Sequence, residues 1–236
     1  GRFRVGTPSS SSDAALGDDD DDDHDDHDEW GDATFSGPSE QGFTLSGIDF
    51  SLRRGQILAV AGPVGSGKST FTNALVGEVS CAAETAVSVQ GKVAYACQTA
   101  FVLNSTLREN ILFGSEYDHE RYEKVLDACC LRQDIAQLGF AGDLAEIGER
   151  GVTLSGGQKQ RVNLARAVYS KPDVAIFDDP LSALDAGTSA KVFERLFKSN
   201  DDDLLGNAAI VLVTHAAHLL HSVDRIMVLV EGRMGF

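Results

Sequence analysis

Two kinds of hydrophobic spacing alternate along the chain. Gln56–Ala61 (QILAVA), Asp173–Asp178 and Ala208–His215 are short, nearly unbroken apolar runs, as expected of strands buried on both faces. Phe43–Leu45 and Ile48–Leu52 are shorter strand candidates before the Arg53-Arg54-Gly55 turn, and Val87–Ala96 and Arg225–Val230 add two more. Between them lie helical patterns: a short one over Thr70–Val76, then apolar residues at helical spacing within 105–137 and 158–170. Strands alternating with helices predict an α/β domain, with a mostly parallel sheet covered on both faces. No internal repeat is visible.

The first thirty residues do not share this texture. They are rich in Ser, Gly and Asp, and residues 18–29 read DDDDDDHDDHDE. Like charges so close together repel, so residues 1–30 are expected to form a disordered acidic tail ahead of a domain spanning 31–236. His24 and His27 within this run are read as part of a solvated charge run rather than as metal ligands. The chain of 236 residues has a net charge of −16, and removing the ten acidic groups of that run leaves −6. A mildly acidic body excludes binding to nucleic acid through a basic surface. The apolar runs are far shorter than the roughly 18–20 residues needed to span a bilayer. The chain opens on Gly and no stretch of it resembles a signal peptide, so it is read as a piece whose membrane involvement is expected through a segment outside it. Cys81, Cys97, Cys129 and Cys130 form no CxxC pair, so they read as small core thiols in a reducing compartment.

Three motifs carry chemistry. Gly62-Pro63-Val64-Gly65-Ser66-Gly67-Lys68-Ser69 fits G-x-x-x-x-G-K-[ST] between a strand and a helix, with Thr70 next. Its glycines let backbone N–H groups face a polyphosphate, and the helix start adds its positive end. In such a loop Lys68 reaches the β and γ phosphates of a nucleotide and the Ser69 hydroxyl ligates Mg²⁺. The run Val174–Phe177 ends in Asp178 and Asp179, which puts a carboxylate at the sheet edge where that Mg²⁺ sits. Leu154-Ser155-Gly156-Gly157-Gln158 opens a helix rich in Lys and Arg, presenting a hydroxyl and bare N–H groups to a phosphate.

In this order the three motifs resemble those of the ABC (ATP-binding cassette) ATPases. Further residues match in sequence: Gln98 at the Q-loop position, Ser182-Ala183-Leu184-Asp185 at the D-loop, and His215 at the switch histidine. NSTLRENILFG, EIGERGVTLSGGQKQRVNLARAVYS and FDDPLSALDA look like the first nucleotide-binding domain of the C subfamily, which holds the multidrug-resistance-associated exporters, a chloride channel and the sulfonylurea receptors. The resemblance covers residues 31 to 233. It implies a P-loop NTPase core with a mixed sheet, an N-terminal antiparallel β-subdomain and a helical signature subdomain over about 100–170. It also implies that Gly62 through Thr70, Gln98, Asp178 and His215 hold Mg-ATP, with Ser69, Gln98 and Asp178 around the metal and Asp179, His215 and Gln98 serving hydrolysis. Leu154 through Gln158 then close over the ATP of a second such domain docked head to tail. Transmembrane domains of the same transporter complete the set of partners, at the cytoplasmic face of a membrane. Gly148-Glu149-Arg150-Gly151 resembles the exporter X-loop, which touches those domains and argues against a soluble ABC ATPase of translation or DNA repair.

Two positions depart from the family pattern. Asp179 stands where hydrolytic sites have Glu, and its carboxylate falls more than about 1 Å short of an attacking water, a misplacement that costs about 10²-fold in rate. A slow, ATP-holding site is therefore expected. An ATP-regulated module gating a channel or receptor is the alternative. Gly37 stands where the family stacks an aromatic ring on adenine, a contact worth about 1 kcal/mol, so weaker nucleotide binding is expected.

Overall fold

The computed structural model describes residues 2–6, 44–79, 86–149, 151–199, 201–202 and 204–235. The centre is a six-stranded sheet built from β3 (Ile57–Ala61), β5 (Val93–Ala96), β8 (Val174–Asp178), β9 (Ala209–Val213), β10 (Arg225–Val230) and β11 (Arg233–Gly235). Their spatial order is β11-β10-β3-β9-β8-β5, parallel throughout except for the β10–β11 hairpin at one edge. Every residue of β8 and β9 is buried, as a sheet covered on both faces requires.

The period of two divides each strand between two cores. Val174 and Ile176, with Ala209, Val211 and Val213, pack on the side of α1 (Lys68–Val76) against Phe71 and Leu75. Ala175, Phe177, Ile210 and Leu212 pack on the opposite side against the remaining helices. Asp178, two residues beyond Ile176, therefore faces α1. That alternation carries the strand's carboxylate toward the loop that opens α1.

The opposite layer holds α2 (Leu107–Leu112), α3 (His119–Ala128), α4 (Arg132–Gln137), α5 (Gly156–Tyr169) and α6 (Ala186–Leu196). Side-chain caps fix where four of them begin. Thr106 with Glu109, and Ser155 with Gln158, form reciprocal capping boxes, while Asp118 and Asp185 accept from the N–H groups of Arg121 and Thr188. No helix among the described residues is long and apolar enough to cross a membrane.

Two expectations change. Val87–Ala96 is not one strand but two. β4 (Ala86–Val89) belongs to a separate antiparallel sheet, and Gly91 at φ 103 makes the break, where any Cβ would run into the Asp173 side chain. The centre of that second sheet is β1 (Arg2–Gly6), flanked by β2 (Phe50–Arg53) and β4. Residues 2–6 thus form a strand where a tail was expected, because their partners lie more than forty positions away, beyond the reach of local pattern. The acidic run, Trp30 and Gly37 lie outside the described residues.

Candidate nucleotide site

Four polar segments follow four neighbouring parallel strands. The glycine loop leaves β3, His215 follows β9, Asp178 and Asp179 close β8, and Gln98 follows β5. Because β3, β9, β8 and β5 are adjacent in that order, the segments line up along one sheet edge at the strands' carboxyl ends, where ligands of open α/β sheets bind. They surround a cavity of about 270 Å³ lined by Val64, Gly65, Gly67–Thr70, Gln98, Asp178, Asp179, Val213 and His215.

The loop's shape explains its glycines. Gly62 sits at φ 152, and a Cβ there would collide with the Leu229 carbonyl; Gly67, at φ 98, caps α1 in the left-handed region. Lys68 is buried, and its Nζ donates to the carbonyl oxygens of Gly62 at 3.0 Å and Pro63 at 2.7 Å. The loop thereby holds its own ammonium ready beside the cavity. Gly62, Pro63 and Ser66 do not line it: Gly62 and Pro63 act through their carbonyls, and the Ser66 hydroxyl is buried without a hydrogen-bond partner among the described residues.

The acidic wall faces this donor-rich loop. Asp178 is buried, and burial pushes its carboxyl above the ordinary range; a hydrogen bond from the Ser69 hydroxyl opposes that, while the neighbouring Asp179 adds to it. Asp179 is also buried and sits at φ 49, with its N–H donating to the Val213 carbonyl at 3.1 Å. Asp enters this left-handed region more readily than most side chains. The Ser182 hydroxyl closes the turn by donating to the Asp179 carbonyl at 2.9 Å. Donors on one side and paired carboxylates on the other fit a polyphosphate with a divalent cation between them.

The signature residues lie elsewhere, at the start of α5. Leu154 is buried, and Ser155 caps the helix, accepting from the Gln158 N–H at 3.3 Å while the Gln158 Oε1 accepts from the Ser155 N–H at 2.8 Å. Gln158 also donates to Asp134 at 3.0 Å, and Asp134 holds Arg161 at 2.7 Å. The two glycines differ. A Cβ on Gly157 would come within 3.0 Å of the Ala183 carbonyl, whereas one on Gly156 would meet nothing within 4 Å.

Asp134, Thr214 and Asn163 have structural parts that the sequence did not announce. Asp134 orients the signature from α4; buried Thr214 accepts from the Ala216 N–H ahead of the helical turn after β9; Asn163 donates to the Cys97 carbonyl at 3.3 Å, beside Gln98. Their signal is spatial. In the stretch before the signature, Gly148 at φ 110 leaves no room for a Cβ against Asn104, whose Oδ1 accepts from the Glu149 N–H at 2.8 Å. Arg150 lies outside the described residues.

A glycine loop, an acidic strand end and a capped signature helix on one mixed sheet define a P-loop ATPase domain of cassette type. The chain belongs to the ABC transporter family, whose pattern it matches over residues 45–182. Among its relatives it is 49% identical over 191 residues to human ATP-binding cassette sub-family C member 4, covering 81% of this chain and 14% of that protein. It is 47% identical over 190 residues to ABC transporter C family member 8 of Dictyostelium discoideum (80% of this chain, 12% of that protein). Against mouse ATP-binding cassette sub-family C member 2 it is 42% identical over 204 residues (86% and 13%). The C-subfamily resemblance read from the motifs is borne out, and the chain spans only about an eighth of the length of these relatives.

Proposed function

We propose that the chain is the nucleotide-binding domain of a C-subfamily exporter, binding Mg-ATP at the β3–β9–β8–β5 edge and coupling that binding to movement of transmembrane domains at the cytoplasmic face of a membrane. The observation that carries this reading is the convergence of Lys68, Ser69, Gln98, Asp178, Asp179 and His215 on one cavity. In this reading Lys68 gives its ammonium to the terminal phosphates, and the N–H groups of Gly65 through Thr70 take the remaining oxygens. Ser69, Gln98 and Asp178 hold Mg²⁺, which when bound neutralises charge on the phosphates. Asp179 and Gln98 orient the attacking water and His215 hydrogen-bonds the γ-phosphate. The short Asp179 side chain makes this site slow.

Gly156, with space in front of it, and the hydroxyl of Ser155 suit a phosphate brought by a second nucleotide-binding domain, so the signature completes that domain's site. The half-exposed rings of Phe101 and Phe113 enclose the Arg166 guanidinium at 4.3 Å and 4.8 Å and form a surface suited to transmembrane domains. A role without useful turnover, gating a channel or receptor, is the second reading; it rests on Asp179 and on Gly37, which lies outside the described residues. Hydrolysis measured with and without the companion domain separates the two.

Equilibrium binding of Mg-ATP tests the site. Lys68→Ala is expected to weaken it at least about tenfold, the loss of one charge-assisted interaction. Unchanged affinity would remove Lys68 from the nucleotide and overturn the reading.

A further inference from the structure

A second concavity, of about 280 Å³, lies between α3, α4, α5 and α6, away from the nucleotide edge. Its polar lining is weighted toward donors. Arg132 and Arg161 project into it from α4 and α5, Lys191 and Arg195 from α6, and the amides of Gln133 and Gln137 complete the set. Two carboxylates share the wall, and each is already engaged: Asp127 with Arg132, and Asp134 with Arg161 at 2.7 Å.

The two α6 cations are different. Lys191 makes no ion pair among the described residues, and Arg195 meets no carboxylate there; its Nη1 donates instead to the Asp127 carbonyl at 2.6 Å and lies 3.8 Å from the Cys130 thiol. They stand four residues apart, so they share one helix face and repel each other. In a chain of net charge −16, two neighbouring cations at the mouth of a donor-lined concavity stand out, Lys191 without an ion pair among the described residues and Arg195 sharing the field of an Asp127 already bonded to Arg132. A compact anion seated between them would remove the repulsion and accept from the amides.

We infer that this concavity is a binding site for a small polyanion of the phosphate or polycarboxylate class, held by Lys191 and Arg195 with Arg132 and Arg161 behind them. The site has a direct line to the signature. Arg161 and Gln158 both donate to the Asp134 carboxylate and share its Oδ1, at 2.8 Å and 3.0 Å. An anion that draws Arg161 toward itself leaves Asp134 to Gln158 and tightens the cap at Ser155. Occupancy therefore biases the loop that the nucleotide reading assigns to a companion domain; binding itself does not depend on that reading.

The test is a residue-resolved NMR titration of the 236-residue chain with inorganic pyrophosphate, and separately with citrate. The expected result is saturable movement of amides in 127–137 and 188–195 with at least one probe. Lys191→Glu should weaken that binding at least about tenfold, and Lys198→Glu on the same helix, outside the concavity, should leave it unchanged. Movement with pyrophosphate alone assigns the phosphate class, and movement with both assigns polyanions in general. Arg195→Gln supplies a second variant with no new charge and should also weaken binding. The inference is overturned if neither probe gives saturable shifts there, if only Gly65–Thr70 move, or if Lys191→Glu and Lys198→Glu weaken binding equally.

Discussion

The nucleotide edge and the signature edge are built from the same materials, glycines and a helix start, yet they differ in what lies opposite. At the first, the loop that opens α1 faces buried Asp178 and Asp179, so donors and acceptors enclose a cavity within one chain. At the second, Ser155 and Gln158 satisfy each other and a Cβ on Gly156 would meet no described atom within 4 Å. The difference teaches that a glycine's surroundings separate its roles. Gly62 and Gly157 are demanded by this chain's own packing, whereas nothing among the described residues demands Gly156. A residue kept small without a local reason directs attention to a partner.

The comparison breaks most visibly at Gly156. Gly156→Asp places a carboxylate in the first turn of α5, where helix electrostatics favour it by about 0.3–1 kcal/mol, so the melting temperature should hold or rise. In the complete transporter the same carboxylate should repel the phosphate of the companion domain's nucleotide and lower ATP turnover by about 10²-fold. Mg-ATP binding to the isolated chain, measured by calorimetry, should not change. A loss of binding in the isolated chain would mean that the two edges are not separate.

The smaller effects sharpen the same contrast. Gly157→Ala meets the Ala183 carbonyl and should cost about 1–3 kcal/mol in urea unfolding. Gly156→Ala meets nothing and should be neutral or stabilising by up to about 1 kcal/mol. If the two alanines unfold alike, the packing distinction fails. Val64→Ser, at a side chain 91% exposed on the loop itself, should stay within about 0.5 kcal/mol of the wild type, because most of its surface is already in water.

The parts of the site that were legible in the sequence are those where backbone geometry forces a residue type at fixed spacing. Gly62 to Ser69 announced the loop, and the apolar run ending at Asp178 announced the acidic strand end, because a strand buried on both faces leaves a recognisable signature. The roles of Gln98 and His215 were not readable from the residues alone and came with the family resemblance, and the strand order that brings them beside the loop came only with the structure. Asp134 gave no sign, since an acidic residue on a short amphipathic helix looks like any solvated side chain until Gln158 and Arg161 are found on it. Arg2–Gly6 were missed for a related reason: five residues followed by a polar stretch carry little pattern, and their partners in β2 and β4 are distant in sequence. The break at Gly91 was equally hidden, because it is set by the side chain of Asp173 from another strand.

The central claim is that this chain holds ATP at its own edge and hydrolyses it slowly because Asp179 is one methylene short. Incubating the 236-residue chain with labelled Mg-ATP and identifying the retained nucleotide tests it directly. The account predicts intact ATP on the wild type, and conversion to ADP about 10²-fold faster in Asp179→Glu. Rapid appearance of ADP on the wild type, at a rate that Asp179→Glu does not raise, would contradict it.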